Sequence, residues 1–228
     1  HSFPTRRSSD LSMTWHEAGS PPCDITPLSA HSRSIIGIGY VPQDRRIFSQ
    51  LSVEENLHIA LAAGGNPGGA VKGEIYDFFP ELYARRQHKA AMLSEDDQYQ
   101  LALARALALD PMLVMYDEPF TGLDPIALGV IGQLIRKLND ALGATSIMVT
   151  HDIHESLLIV DYIYFLNGGR VVAEGTPDEI RASKDPFVHQ FVYAEPDGPV
   201  HFDYPAPTVR QEFLAGVRHR SEEHTSEL

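Results

Sequence analysis

The run LVMYDEP at residues 113–119 is the feature of this chain that most restricts its fold. Four apolar residues are too few for a helix, and they lead directly into two adjacent carboxylates, Asp117 and Glu118, and a Pro/Gly turn. A short apolar run between turn signals is typical of a buried parallel strand, and α/β sheets place ligands at the carboxyl ends of such strands. Adjacent acids are also compatible with a solvated strand end, so the surrounding sequence decides between the two interpretations.

A second run, SIMVTHD, has the same form and carries Thr150, His151 and Asp152 at its tip. Around these two strands, strand-like and helix-like segments alternate. The predicted elements are a strand at 35–41, helices at 53–62, 74–86 (interrupted at Pro80), 98–109, 126–142 and 153–160, a hairpin at 162–175 with its turn at Gly168 and Gly169, and two short helices, one capped by Thr176 and Glu179 and one beginning at Pro186. The helix at 126–142 is expected to bury residues at helical spacing, namely Ile131, Leu134, Ile135, Leu138 and Leu142. This alternation predicts an α/β fold in which a parallel sheet carries helices on its faces.

The composition restricts the classes of partner. The 228-residue chain has a net charge of −13, whereas nucleic-acid binding needs a basic face, so no nucleic-acid partner is expected. A single cysteine, Cys23, leaves no disulfide framework and favours a reducing compartment. No apolar run is as long as a membrane span and none resembles a signal peptide, so we expect no direct membrane insertion.

The motifs LVMYDE, GLDP and VTHD, in that order and with one helix-length segment between them, resemble the second half of an ATP-binding-cassette (ABC) ATPase. The resemblance implies a P-loop NTPase-like sheet, ATP as the nucleotide and Mg²⁺ as the cofactor. Asp117 would hold Mg²⁺ through water, Glu118 would polarise the attacking water, and His151 would contact the γ-phosphate. Asp124 would lie where two cassettes meet. A lone histidine at a strand end is more often structural, but its neighbours here favour the functional interpretation.

A further motif, GIGYVPQ, resembles the Q-loop of the same family, where Gln43 would reach Mg²⁺ and the attacking water. Pro42 cannot continue a central strand, which agrees with a strand end at this point. The next segment, residues 44–57, contains a capping box of Ser52 and Glu55 that begins a helix. In the family this segment faces a membrane permease. The resemblance therefore implies a permease, a second cassette and a cytoplasmic position peripheral to the inner membrane, and an ordinary surface loop and helix is the alternative.

The segment LSEDDQ at residues 93–98 departs from the LSGGQ signature of the family. Ser94 is retained as an expected nucleotide contact. Glu95 and Asp96 stand at the glycine positions, and Asp97 stands at the glutamine position. Three carboxylates would repel a γ-phosphate at a helix start that otherwise suits an anion. We therefore expect a good helix N-terminus and a poor phosphate site.

No GxxxxGK[ST] phosphate loop occurs in the sequence. In the family this loop precedes the Q-loop, so we expect it to lie before residue 1 of an N-terminally truncated cassette. Without the amide cradle and the lysine, the β- and γ-phosphates lack their main binding groups. We expect the chain alone to bind ATP weakly or not at all and to be inactive.

The resemblance is divided between two subfamilies. Residues 24–93 resemble the ATPases of branched-chain amino-acid importers, whereas residues 101–207 resemble the ATPase of the phospholipid (lipid-asymmetry) transporter of Gram-negative bacteria. The second match is longer, so phospholipid is the preferred substrate. The subfamily changes at the altered signature, residues 95–100. Two gene fragments joined there would explain both features, and a divergent natural sequence is the alternative.

Both termini resemble translated sequencing adapters, with HSFPTRRSSDL at residues 1–11 and RSEEHTSEL at 220–228, and natural polar tails are the alternative. The expected organisation is a foreign or disordered leader, a truncated ABC domain with a helical subdomain, a C-terminal tail and a foreign tail. Their residues are 1–21, 22–193 (subdomain 45–109), 194–219 and 220–228. Three function classes are compatible with this chain: a transport ATPase, a non-catalytic cassette that binds a permease, and an assembly artefact without a native function.

Overall fold

The structure is a computed structural model that describes residues 12–16, 19 and 21–200. It divides into two compact units, the first ending at Asp161 and the second beginning at Tyr162. The adapter-like segments at 1–11 and 220–228 lie outside the described residues, as do residues 201–219 of the expected C-terminal tail. The expected domain boundaries stay predictions.

The described part of the first unit contains five strands and seven α-helices. The strands are β1 (Thr14–Trp15), β2 (Cys23–Asp24), β3 (Ile38–Val41), β4 (Leu113–Asp117) and β5 (Thr145–Val149). The helices are α1 (Ala30–Ile35), α2 (Val53–Ala63), α3 (Gly73–Phe78), α4 (Pro80–Ala84), α5 (Glu95–Leu107), α6 (Pro125–Leu142) and α7 (Ile153–Ile159). A 3₁₀ turn at Ala90–Met92 precedes α5. β1 and β2 form a short antiparallel ribbon, so part of the expected leader is strand.

A parallel sheet in the order β3-β4-β5 carries the motifs. β4 lies in the middle and buries Val114 and Tyr116 on one face, whereas Leu113, Met115 and Asp117 on its other face are half-buried. Its last residue, Asp117, pairs with Val149 of β5. Because parallel neighbours end at the same edge, the strand tips predicted to carry the chemistry are adjacent. The predicted α/β class and parallel sheet are confirmed.

The start of the first predicted parallel strand was wrong. Residue Ile35 ends helix α1, and β3 begins only at Ile38. The helix forms because Oγ of Ser29 accepts a hydrogen bond from the backbone N–H of Ser32 at 3.1 Å, which caps its first turn. Gly37, with a φ of 89°, then ends the helical path before the strand.

Helices α2 and α5 pack together and supply much of the apolar core. Val53 and Leu57 of α2 and Leu101 of α5 are fully buried. α5 begins at Glu95 rather than at the predicted Gln98, because capping by the preceding serine extends it towards the N-terminus. The predicted interruption of residues 74–86 at a proline is confirmed by the separate helices α3 and α4.

Helix α6 connects β4 to β5. Ile135 and Leu138 are buried at helical spacing, as predicted, whereas Leu134 and Leu142 are half-buried. Gly143 ends the helix in the left-handed region, with a φ of 62°, which favours glycine at this position. Among the described residues, no helix has both the length and the apolar character needed to cross a bilayer.

Strand β5 is more exposed than β4. Ile147 and Val149 are 46% and 54% exposed, although the run SIMV was expected to be buried. One edge of β5 pairs with β4, and no strand of the described ranges pairs with its other edge. The side chains of β5 therefore lack those of a neighbouring strand on that side, which a run of apolar letters does not reveal.

The described part of the second unit is a hairpin followed by two helices. These elements are β6 (Ile163–Asn167), β7 (Arg170–Gly175), α8 (Pro177–Arg181) and α9 (Pro186–Tyr193). Gly168 and Gly169 form the turn with φ values of 57° and 76°, the positive values that a tight hairpin turn needs. Thr176 and Glu179 form the predicted capping box of α8. The hairpin and both helices are confirmed.

Candidate functional site

The ends of β4 and β5 hold the first part of the site. Beyond the pairing of Asp117 with Val149, the backbone N–H of Glu118 donates a hydrogen bond to the carbonyl of Val149 at 2.8 Å. Glu118 has a φ of 47°, a left-handed conformation that costs a non-glycine residue about 1–3 kcal/mol. The hydrogen bond to β5 fixes this turn, and it thereby fixes the position of the Glu118 side chain at the sheet edge.

The structure brings Glu118 and His151 into contact. Nδ1 of His151 lies 2.7 Å from Oε2 of Glu118, and the two side chains are 73% and 22% exposed. Oε2 is buried and has no hydrogen-bond partner among the described residues, so the imidazole approaches it outside the direction of an N–H···O bond. Asp152 adds a third group, since one ligand atom from each of the three residues lies within 4.8 Å of the others.

Asp117 accepts a hydrogen bond through Oδ2 from the hydroxyl of Tyr40 at 2.7 Å. Tyr40 lies on β3 opposite Met115 of β4, and its exposed ring reaches along the sheet edge. The hydrogen bond to the carboxylate, together with partial burial, raises the pKa of Tyr40 because both favour the neutral phenol. Tyr40 was not predicted as a site residue, although its position within GIGYVPQ, on a neighbouring strand, was a usable signal.

Gln43 leaves β3 at the same edge of the sheet, two residues after Val41, which pairs with Tyr116. Its side chain is exposed and makes no hydrogen bond to any described residue. Oδ1 of Asp117 is likewise free of hydrogen bonds within the described ranges. A carboxylate oxygen and an amide oxygen without protein donors are the hard ligands that Mg²⁺ prefers. The residues present therefore fit the Mg²⁺ that the motifs imply.

Asp124 has a visible structural task. It caps α6, where Oδ1 accepts hydrogen bonds from the backbone N–H groups of Ile126 at 2.8 Å and Ala127 at 3.0 Å. No hydrogen bond or ion pair joins Asp124 to Glu118 or His151. Its carboxylate is exposed and faces the start of its own helix, apart from the cluster at the strand ends.

Ser94 starts α5, and its Oγ accepts a hydrogen bond from the backbone N–H of Asp97 at 3.2 Å. Glu95 and Asp96 are exposed in the first turn, as expected. Asp97 is only 8% exposed, and its carboxylate forms an ion pair with Arg85. The expectation that three carboxylates face a phosphate was therefore wrong for Asp97, because burial and ion pairing keep this side chain within the protein.

Comparison with known proteins agrees with the motifs. Residues 13–121 match the protein family described as ABC transporter. Over 113 residues the chain is 57% identical to the intermembrane phospholipid transport system ATP-binding protein MlaF of Haemophilus influenzae. This match covers 50% of this chain and 43% of that protein. Over 160 residues it is 39% identical to the probable branched-chain amino acid transport ATP-binding protein LivF of Archaeoglobus fulgidus. This second match covers 69% of this chain and 67% of that protein.

The chain thus spans about half the length of the MlaF relative that it matches, since the match covers 43% of that protein. Among solved structures, it is similar to the ATP-binding cassette MJ0796, a dimer in a post-hydrolysis state bound to ADP and Pi. The TM-score is 0.55 at 29% identity, and the match covers 68% of this chain and 70% of that one. The parallel sheet, the acids and histidine at its edge, and these similarities together show that the chain belongs to the ABC transporter family of ATP-binding proteins.

Proposed function

We propose that this chain acts as the ATP-hydrolysing subunit of an ABC transporter that moves phospholipid. The observation that carries the proposal is the contact of Glu118 with His151 beside Asp117, at the carboxyl edge of a parallel sheet. The 57% identity to MlaF supports phospholipid as the substrate class. The 39% identity to LivF supports a branched-chain amino acid as the alternative substrate.

The proposed reaction is attack of water on the γ-phosphorus of ATP. Glu118 accepts a proton from the water while the water oxygen bonds to the γ-phosphorus. The bond between the γ-phosphorus and the oxygen that bridges it to the β-phosphate breaks in the same step. Nδ1 of His151 lies 2.7 Å from Oε2 of Glu118, and this contact orients the carboxylate. The imidazole also donates a hydrogen bond to the γ-phosphate. Asp117 and Gln43 would hold Mg²⁺, which would neutralise phosphate charge.

The proposed partners are a membrane permease and a second cassette, with the chain at the cytoplasmic face of the inner membrane. Ser94 and Asp124 are exposed at the starts of α5 and α6, and we assign them to the nucleotide and to the seam between cassettes. Both retain an oxygen at a helix N-terminus, where the backbone dipole favours an anion.

The segment at residues 44–57 is the proposed contact with the permease. Arg105 donates a hydrogen bond to the carbonyl of Arg46 at 2.6 Å, and Arg45 donates one to the carbonyl of Glu95 at 3.3 Å. These hydrogen bonds connect the segment to helix α5, one near the end of the helix at Arg105 and one at its start at Glu95. A displacement of the segment by a permease would therefore reach the altered signature, which supports a coupling role.

A non-catalytic cassette that docks to a permease is the second candidate function. The exposed carboxylates of Glu95 and Asp96 favour it, because they occupy the helix start where a phosphate would have to approach. On this ground we expect low ATP turnover from the chain alone.

The deciding experiment restores a GxxxxGK[ST] loop at the N-terminus of the full chain and mixes the product with a cassette whose own catalytic glutamate is replaced by glutamine. We expect turnover above that of either protein alone, and a fall of about 10²–10⁴-fold in kcat for Glu118→Gln with ATP binding retained. Glu174→Gln, at an exposed glutamate of the hairpin, is the matched control and should keep the wild-type rate.

Turnover equal to the background of the partner would reject the catalytic role and leave the docking role. The substrate is tested in the same mixture with a permease reconstituted in vesicles. Stimulation by phospholipid supports the preferred substrate, and stimulation by leucine instead would assign the chain to amino-acid import.

A further inference from the structure

We propose that Glu118, His151 and Asp152 form a binding site for a divalent transition-metal ion of the Zn²⁺ class. One ligand atom from each residue lies within 4.8 Å of the other two. Zn²⁺ binds imidazole nitrogens and carboxylate oxygens, and three protein ligands leave it a fourth position open. This inference needs no nucleotide, so it goes beyond the proposed ATP hydrolysis and can succeed or fail independently of it.

The first support is a buried acceptor without a donor. Oε2 of Glu118 is buried and has no hydrogen-bond partner in the described part of the chain, although Nδ1 of His151 lies only 2.7 Å away. The chain offers a direct contrast, because Nδ1 of His189 and Oε2 of Glu195 form a hydrogen bond at 3.1 Å. At Glu118 the oxygen and the ring nitrogen approach each other without that bond, and a cation coordinated by both atoms would satisfy both.

The second support is the state of the Asp152 carboxylate. Asp152 stands at the N-cap position of α7, yet its side chain makes no capping hydrogen bond. Asp124 and Asp185, at the starts of α6 and α9, each accept two backbone N–H groups with one carboxylate oxygen. Both oxygens of Asp152 are therefore available to a ligand on the side that faces His151 and Glu118.

The chemistry of the three groups selects the ion. An imidazole nitrogen suits Zn²⁺, Co²⁺ and Ni²⁺, whereas Mg²⁺ prefers six oxygen ligands in a rigid octahedron. Ligand atoms about 2.1 Å from a tetrahedral Zn²⁺ lie about 3.4 Å from one another, so the 2.7 Å separation of Nδ1 of His151 and Oε2 of Glu118 has to widen and the longer separations have to shorten. A rotation of the His151 side chain, which is 73% exposed, can supply both changes.

The test is a titration of the full 228-residue chain with Co²⁺ in the absence of nucleotide, followed by visible d–d absorption and then by displacement with Zn²⁺. We expect intense absorption from a four- or five-coordinate ion, retained in a large excess of Mg²⁺. His151→Gln and Asp152→Asn should each weaken Co²⁺ binding by at least about tenfold. His189→Gln, which removes the hydrogen-bonded histidine, should leave the titration unchanged.

The chain has 11 histidines, and any of them can bind Co²⁺. The result therefore depends on the comparison between variants and not only on the number of Co²⁺ ions bound per chain. Circular dichroism verifies that each variant is folded, and either ligand variant suffices if the other unfolds. The proposal is overturned if the wild-type chain gives no such absorption, if both ligand variants titrate like the wild type, or if His189→Gln weakens binding as much as His151→Gln. Because no ATP is present, a negative result here leaves the proposed ATPase function intact.

Discussion

The guanidinium of Arg85, at the end of α4, forms an ion pair with the carboxylate of Asp97 in the first turn of α5. Asp97 is 8% exposed, so its charge is largely removed from water. Arg85 also lies 3.8 Å from Glu81, which makes it the cation shared by two helices. The pair anchors the start of α5, and it explains how an acid can occupy a buried position of the altered signature.

Replacement of the cation should therefore destabilise the fold. Arg85→Met leaves the Asp97 carboxylate buried without a partner, and we expect the free energy of unfolding to fall by about 1–3 kcal/mol. The value lies below that of a fully buried pair because the Arg85 side chain is 44% exposed. Urea denaturation followed by circular dichroism measures it. Lys137→Met removes an exposed cation of α6 and should change the midpoint little.

A double-mutant comparison sharpens this test. Asp97→Asn removes the buried charge, so Arg85→Met should be much less harmful in its presence. Equal effects of Arg85→Met in both backgrounds would show that the ion pair does not carry the stability.

Local signals account for the elements that the sequence predicted well. The serine and glutamate of a capping box lie three residues apart, and the turn at Gly168 and Gly169 is specified by the two glycines themselves. The strand to Asp117 was equally readable, because a short apolar run bounded by acids and a Pro/Gly turn has few alternatives.

Contacts between distant positions could not be predicted in this way. Tyr40 and Asp117 are 77 residues apart in sequence, and their hydrogen bond depends on the register between β3 and β4. The pairing of Asp97 with Arg85 depends on how two helices pack, so the sequence alone predicted that all three acids would repel a phosphate. The family resemblance implied that Glu118 and His151 act at the same γ-phosphate, whereas their contact and the proximity of the Asp152 carboxylate needed coordinates.

Two substitutions at Asp124 separate its structural task from its proposed place at the cassette seam. Asp124→Ala removes two capping hydrogen bonds from α6 and should lower the free energy of unfolding by about 1 kcal/mol, within a range of 0.5–2 kcal/mol. Asp124→Asn keeps an oxygen that can cap the helix and should stay close to the wild type in thermal unfolding. If only the charge mattered for stability, the two variants would be equally unstable.

The buried tyrosine of β4 predicts a loss of stability at alkaline pH. Burial, reduced in part by a hydrogen bond with Ser146, raises the pKa of Tyr116 from 10.0 to about 12. The folded state keeps the phenol proton where the unfolded chain releases it, so this contribution is complete below pH 10 and is lost as the pH rises towards 12. It amounts to roughly 2–3 kcal/mol at most.

Tyr116→Phe should flatten the fall of stability between pH 10 and 12, as measured by urea unfolding at several pH values. Val114→Ala, on the same strand and without a titrating group, should lower stability by a similar amount at each pH and keep the wild-type slope. A Tyr116→Phe profile parallel to that of the wild type would assign the alkaline loss to other groups, of which Tyr99 is the first, since burial raises its pKa as well.

Glycine at both exposed acids of the altered signature should change stability and turnover in opposite directions. Glu95→Gly/Asp96→Gly leaves the ion pair of Asp97 with Arg85 in place. It introduces two glycines into the first turn of α5 and removes two charges that favour its dipole, so the free energy of unfolding should fall by about 1–3 kcal/mol. The same change frees the backbone N–H groups for a phosphate, and ATP turnover should rise at least tenfold in a mixture with a cassette that carries a GxxxxGK[ST] loop and keeps its own catalytic glutamate. Glu95→Ala/Asp96→Ala is the matched control, because it removes the charges and keeps the Cβ atoms. It should be more stable than the glycine variant and recover less turnover, and equal turnover in both would mean that charge alone blocks the site.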